Sequence, residues 1–220
     1  MGRAKEIIVK VIPSKIANDF VKKTHYSGKV VPNSTLHFGC FLDNKLHGVM
    51  QYGPSINKKG TINLVEGTGW NEFIELNRMA FDDYLPKYSE SRCIAISIRL
   101  IKKNAPQIKW IISFADGTQC GDGTIYRASG FKLVGLKKNT SMWENVVTNE
   151  RMQDMQFYHT MTKKGGNWRR IEGNMFKYIF LIDKQCKITL PILPFIEIDK
   201  KGAGMYKGKK ISLQERRDIN

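Results

Sequence analysis

Long apolar runs are missing from this chain: nothing approaches the ~18 consecutive apolar residues that a membrane span needs. Close cysteine pairs are missing as well. Cys40, Cys93, Cys120 and Cys186 lie far apart with no CxxC among them, which argues against a zinc ribbon or a redox dithiol and for reduced thiols. Cys120, in a glycine-rich loop, is the one to test for reactivity. The histidines show no HxxH or HxxxH spacing, and there is neither an internal repeat nor a Pro/Ser-rich linker. The opening MGRAKEIIVKVIPSK lacks the apolar core and small-residue cleavage site of a secretory signal. Lys5 and Glu6 follow Met1-Gly2 where a myristoylation signal wants Ser or Thr. A cytoplasmic protein is expected.

Negative charge is the scarcest ingredient. Against 36 Lys and Arg stand 20 Asp and Glu, a net +16 over 220 residues. Such a surface attracts polyanions before any specific contact forms, so nucleic acid leads the partner classes, with a plain solubility surface as the alternative. Residues 131–220 hold 18 Lys and Arg against 9 Asp and Glu, the denser half of the surplus. Apolar content of 41% and charged content of 25% are those of an ordinary globular protein with one good core.

Period and punctuation give the elements. Residues 6–12 alternate as a first strand ended by Pro13, and Ser14 caps a helix to about Thr24, with Gly28 as its stop. Residues 36–42 and 46–52 form a hairpin around Asp43-Asn44-Lys45. Residues 53–70 read as a long loop, in which Lys58-Lys59-Gly60 is either a phosphate contact or a solvated tip. Then come a strand over 73–81, a helix over about 90–103 opening at Ser89-Glu90-Ser91-Arg92, and a buried strand over 108–115 that ends on Asp116. A short helix follows, closed by Gly130. Residues 132–136 read as a strand, 139–164 as a polar stretch of undefined structure, and 176–182 with 186–190 as a second hairpin. A basic tail over 199–220 closes the chain, leaving one domain over 1–198.

Several residues carry chemistry on this reading. Asp116 ends a buried strand, where ligands sit in open α/β sheets, so its carboxylate is placed to take a proton, orient an amine or bind a metal; a turn aspartate is the plain alternative. Glu75 and Asn77 share one strand face by period two, with Arg78 on the other. An amide beside a carboxylate suits the adenine edge, an amine donor next to a ring-nitrogen acceptor. Otherwise these residues make one wet strand face, with Arg78 a buried ion-pair partner. The Ser89, Ser91 and Arg92 turn offers helix N–H groups and charge to a phosphate. His25, taken alone, is structural.

The order of elements, with ExNR (Glu75, Asn77, Arg78), SESR, SFAD (residues 113–116) and GTIYRASGF (residues 123–131), resembles the GNAT N-acyltransferase superfamily, and more narrowly the phage Mom-type DNA adenine-modification proteins. The resemblance implies an α/β fold: a GNAT-like mixed, mostly antiparallel sheet flanked by helices, with a C-terminal β-hairpin and basic tail. It implies a phage enzyme, working in the cytoplasm of the bacterial host, that adds a carbamoylmethyl-type group to the exocyclic amine of adenine in double-stranded DNA and so protects it from restriction. The catalytic candidates are then Asp116, Glu75 and Tyr126, with Tyr126 at the position of the GNAT tyrosine that protonates a leaving thiolate. Ser89, Ser91 and Arg92 stand where that superfamily binds the donor's pyrophosphate, acetyl-CoA or another acyl-type donor, although the glycines of that turn are absent here. Asn77, Arg78, Ser113 and Arg127 become substrate contacts. The His25-Tyr26 pair, which the Mom-type group shares and which is associated there with iron, implies an iron(II) site of His25, Tyr26 and Asp116. Two other readings stay open: an N-acyltransferase using acetyl-CoA on a protein or small amine, and a non-catalytic DNA-binding scaffold.

Overall fold

The computed structural model describes residues 2–25, 27–118, 122–154, 157–159, 166–201, 205–206, 209–210 and 215. Tyr26 and Cys120 therefore lie outside the described residues. The elements are β1 (Ile8–Val11), α1 (Ser14–Thr24), β2 (Leu36–Leu42), β3 (Lys45–Gly53), α2 (Lys58–Thr61), β4 (Val65–Glu66), β5 (Phe73–Phe81), α3 (Ser89–Asn104), β6 (Trp110–Asp116), α4 (Thr124–Ala128), β7 (Lys132–Asn145), β8 (Arg151–Gln153), β9 (Trp168–Leu181), β10 (Lys187–Ile188), α5 (Ile196–Lys201), β11 (Met205–Tyr206) and β12 (Lys209–Lys210). They group into two compact units. The first comprises Met1–Ser113, Thr124–Val134 and Tyr178–Ile192; the second comprises Phe114–Gly123, Gly135–Lys177 and Leu193–Asn220. Strands β6, β7 and β9 run covalently from one unit into the other.

In the first unit the strand order is β1-β2-β3-β5-β6-β9-β7. Pairing is antiparallel from β1 to β5 and parallel between β5 and β6, which α3 connects. The fold is mixed α/β, a mostly antiparallel sheet flanked by helices. The first hairpin forms because Asp43 and Asn44, at φ 49° and 60°, supply the left-handed pair that a tight two-residue turn requires. Helix α1 buries Ala17 and Val21 against Ile12, Val49 and Ala80. Helix α3 buries Cys93, Ile94, Ile98 and Ile101 at helical spacing.

Four sequence expectations are corrected here. Ser14 is the first residue of α1 rather than its cap; Pro13 holds that position without a side-chain hydrogen bond. The first strand is shorter than read, because Arg3–Glu6 winds into a 3₁₀ turn. The loop 53–70 contains α2, a 3₁₀ turn at Ile62–Leu64 and β4. No second hairpin joins 176–182 to 186–190: β10 pairs antiparallel with β4, Lys187 opposite Glu66.

The second unit contains the lower part of β7, β8 antiparallel to it, and most of β9. The polar stretch after 139 is thus partly strand. Trp143 stacks on Phe157 with ring centroids 3.8 Å apart. On the strand's other face Glu144 is buried and accepts hydrogen bonds from both Arg151 (2.8 Å) and Arg169 (2.7 Å).

Candidate functional site

The site begins with a slip in register. Gln51 of β3 faces Arg78 while Tyr52 faces Leu76, so Asn77 is an extra residue on β5 and the strand bulges there. Gly53 makes room for it: a Cβ at that position would collide with the Asn33 carbonyl and stand 2.7 Å from Asn77 Oδ1. The bulge breaks the strict alternation of β5. Leu76 and Asn77 are both buried, and Arg78, expected on the opposite face, acts electrostatically on Glu75.

Asn77 is held by one end only. Its Oδ1 accepts from the Ser34 hydroxyl at 3.1 Å, while its buried Nδ2 makes no hydrogen bond among the described residues. Two residues earlier stands Glu75, with the Ser55 hydroxyl, the Asn77 amide and the Ile56 N–H around its carboxyl. Burial pushes its carboxyl above the ordinary range, outweighing the Ser55 hydroxyl, the nearby Asn77 amide, the Arg78 charge and the Ile56 N–H, which all favour the charged form. The Asn77 amide acts on Glu75 from close by without the geometry of a hydrogen bond.

Arg78 ties this strand to the chain after α1. Its Nε donates to the Lys29 carbonyl at 3.2 Å and its Nη1 to the Asn77 carbonyl at 2.9 Å. Burial first, and the Arg78 charge second, push His25 down to about 4, so its ring is neutral at pH 7. The His25 Nδ1 accepts the Ser27 N–H at 3.2 Å, which puts the ring proton on Nε2. His25, Glu75, Asn77 and Arg78 are therefore one electrostatic neighbourhood. Ser113 lies beside it, its hydroxyl donating to the Leu76 carbonyl at 3.2 Å.

A carboxylate and a buried amide donor thus stand side by side at the bulge. The sequence around it matches the Mom protein family over residues 6–196. This chain belongs to the Mom protein family. It is 32% identical over 203 residues to the methylcarbamoylase Mom of Escherichia phage Mu, covering 85% of this chain and 80% of that protein. Among solved structures, a GNAT family acetyltransferase from Elizabethkingia anophelis with acetyl-CoA bound shares 13% identity over 80% of this chain and 97% of its own, with a TM-score of 0.47. The spermidine/spermine N-acetyltransferase of Vibrio cholerae, in complex with manganese ions, shares 8% over 84% of this chain and 97% of its own, at 0.49. Likeness at that level carries no argument about this chain.

Asp116 belongs to the second unit, where it accepts from the Thr118 N–H (2.9 Å), the Thr118 hydroxyl (2.6 Å) and the Asn139 amide (3.2 Å). Among the described residues no three His, Cys, Asp or Glu side chains converge. Of the expected iron ligands, Tyr26 lies outside the described residues and His25 and Asp116 belong to different units, and no chemical step is routed through a metal. Ser89 and Ser91 donate to the carbonyls of Pro86 and Tyr88 in their own turn, and Arg92 donates to the Lys5 carbonyl. Tyr126 is buried, its ring 5.5 Å from Phe131 and 5.2 Å from Tyr178; Arg127 is exposed.

Sequence reasoning missed Ser34, Gly53, Ser55 and Ile56. The available signal was the Gly-Pro-Ser loop that directly follows a strand pairing with the polar one.

Proposed function

We propose that this Mom family member is a transferase acting on duplex DNA, and that it places a carbamoylmethyl-type group on the exocyclic amine of adenine. The observation that carries this reading is the Glu75–Asn77 pair at the bulge. A carboxylate there accepts an N–H of the adenine amine, and the Asn77 Nδ2–H donates to a ring nitrogen of the same edge. The relative from phage Mu, named a methylcarbamoylase, fits the same chemistry.

In the reaction the amine nitrogen bonds to the carbon of an activated donor, the bond from that carbon to its leaving group breaks, and Glu75 takes the proton the amine loses. Arg78 steadies the charged carboxylate, and its charge, with burial, keeps His25 neutral. A base inside a duplex is out of reach, so the nucleotide turns out of the stack at a cost of a few kcal/mol. Contacts of the +16 surface with phosphates offset that cost. In a phage, DNA altered this way escapes host restriction. Asp116 is kept for the amine and its proton, Tyr126 for the donor's leaving group, and the Ser89–Arg92 turn for the donor's phosphates.

Nucleoside mass spectrometry on DNA from cells producing the protein tests the reading. A heavier deoxyadenosine supports it. Thiol release from acetyl-CoA with an amine and no DNA, alongside unmodified DNA, would replace it with an ordinary acyltransferase.

A further inference from the structure

We propose that Ser34 is the positioning residue that holds the Asn77 amide off the Glu75 carboxylate, so that donor and acceptor both stay open for the adenine edge. The inference rests on the adenine-modification reading above and gives a role to a residue outside the reacting pair. The ladder puts the two side chains on one face. Glu75 lies opposite Gly53, and residues directly opposite in an antiparallel pair share a face. The space above Gly53 is where Asn77 leans: a Cβ there would stand 2.7 Å from Asn77 Oδ1 and 2.8 Å from the Cα of Ser34. Ser34, Glu75 and Asn77 therefore meet over one glycine.

A buried N–H without an acceptor is costly, and a carboxylate on the same face is the strongest acceptor it could find. Yet Asn77 Nδ2 stays buried without a hydrogen bond among the described residues. The restraint is at the other end of the amide, where the Ser34 hydroxyl donates to Oδ1 at 3.1 Å. An amide is planar and turns as one body, so holding its oxygen holds its nitrogen. Ser34 is not free to follow a turning amide. Its own N–H donates to the Val31 carbonyl at 3.1 Å, and that of Thr35 to the Tyr52 carbonyl at 2.8 Å. On the other side Asn33 Nδ2 donates to the Pro54 carbonyl at 2.6 Å. The brace is thus mounted on the end of β3, the strand against which β5 bulges.

The test compares full-length wild type, Ser34→Ala and Ser34→Thr. Without the hydroxyl the amide turns onto Glu75 and occupies the acceptor. In cells, modified deoxyadenosine falls roughly tenfold or more in Ser34→Ala, and Ser34→Thr, which keeps the hydroxyl, restores most of it. Carboxyl NMR on protein with isotope-labelled glutamate, Glu75 being assigned by its loss in Glu75→Gln, follows the amide directly. A hydrogen bond to the charged carboxylate favours that form, so Glu75 titrates at lower pH in Ser34→Ala than in wild type or Ser34→Thr. Arg78 and the Ser55 hydroxyl act on Glu75 in all three chains and do not produce the difference. Full modification by Ser34→Ala overturns the brace and leaves the adenine reading standing. A loss of modification with Glu75 titrating as in wild type also overturns it, because Ser34 is then merely structural. If wild type itself yields no modified deoxyadenosine, the adenine reading falls. The Glu75 titration, which needs neither DNA nor donor, then still decides whether Ser34 holds the amide away.

Discussion

At the scale of single residues the site turns on how burial and hydrogen bonds balance at Glu75. Ser55 favours its charged form, so Ser55→Ala moves the acid limb of the pH–activity profile to higher pH, while Thr61→Ser leaves it in place. Glu75→Gln removes the acceptor and lowers modification by roughly 10²-fold or more with DNA binding retained, a split read by nucleoside analysis beside a gel-shift titration. His25 gives a prediction about stability. Its ordinary value of 6.5 applies in the unfolded chain and about 4 in the folded one, so the unfolded state takes up the proton first as pH falls. Stability is therefore full above 6.5 and declines toward 4, by about 1–3 kcal/mol for this partly buried ring. Urea unfolding at pH 7 and pH 4 measures that loss, and His25→Asn shrinks it.

At the scale of elements the bulge in β5 and the shared carboxylate of β7 matter most. Gly53→Ala forces a Cβ against the Asn33 carbonyl and Asn77, costing roughly 1–3 kcal/mol and disturbing the site with it. Glu144→Ala leaves the Arg151 and Arg169 guanidiniums without their common partner; with Arg169 largely exposed, the cost is about 3 kcal/mol, seen as a lower unfolding midpoint. Elements were legible where local chemistry dictates them. Asp43-Asn44 announces its turn, Gly130 at φ 83° closes α4, and the spacing of Cys93, Ile94, Ile98 and Ile101 declares α3. They were illegible where pairing at a distance decides. The β4–β10 ladder has two residues a side, 122 apart in sequence between Val65 and Lys187, too short for any period to register. Strand β7 continues through Lys137, Lys138 and Asn139 because its neighbours complete the hydrogen bonds, against the local preference of those residues. For the same reason period two placed Glu75 and Asn77 together but missed the bulge, which exists only against β3.

At the scale of the whole molecule, charge is what reaches beyond the site. By sequence halves the surplus looked C-terminal; regrouped by fold, the first unit carries 21 Lys and Arg against 10 Asp and Glu, and the second 15 against 10. Most of the positive surplus thus belongs to the unit that holds Glu75. A nonspecific duplex should therefore bind with strong salt dependence, weakening by about 10³-fold between 50 and 200 mM salt if some six phosphates are contacted, a slope that filter binding measures. Weighing nucleosides from DNA of cells that produce either the wild-type chain or Glu75→Gln separates a catalytic bulge from a structural one. Wild type should yield a deoxyadenosine heavier by a carbamoylmethyl group, and Glu75→Gln little or none. Unaltered deoxyadenosine from cells rich in folded wild-type protein, or equal modification by both chains, would contradict the catalytic bulge.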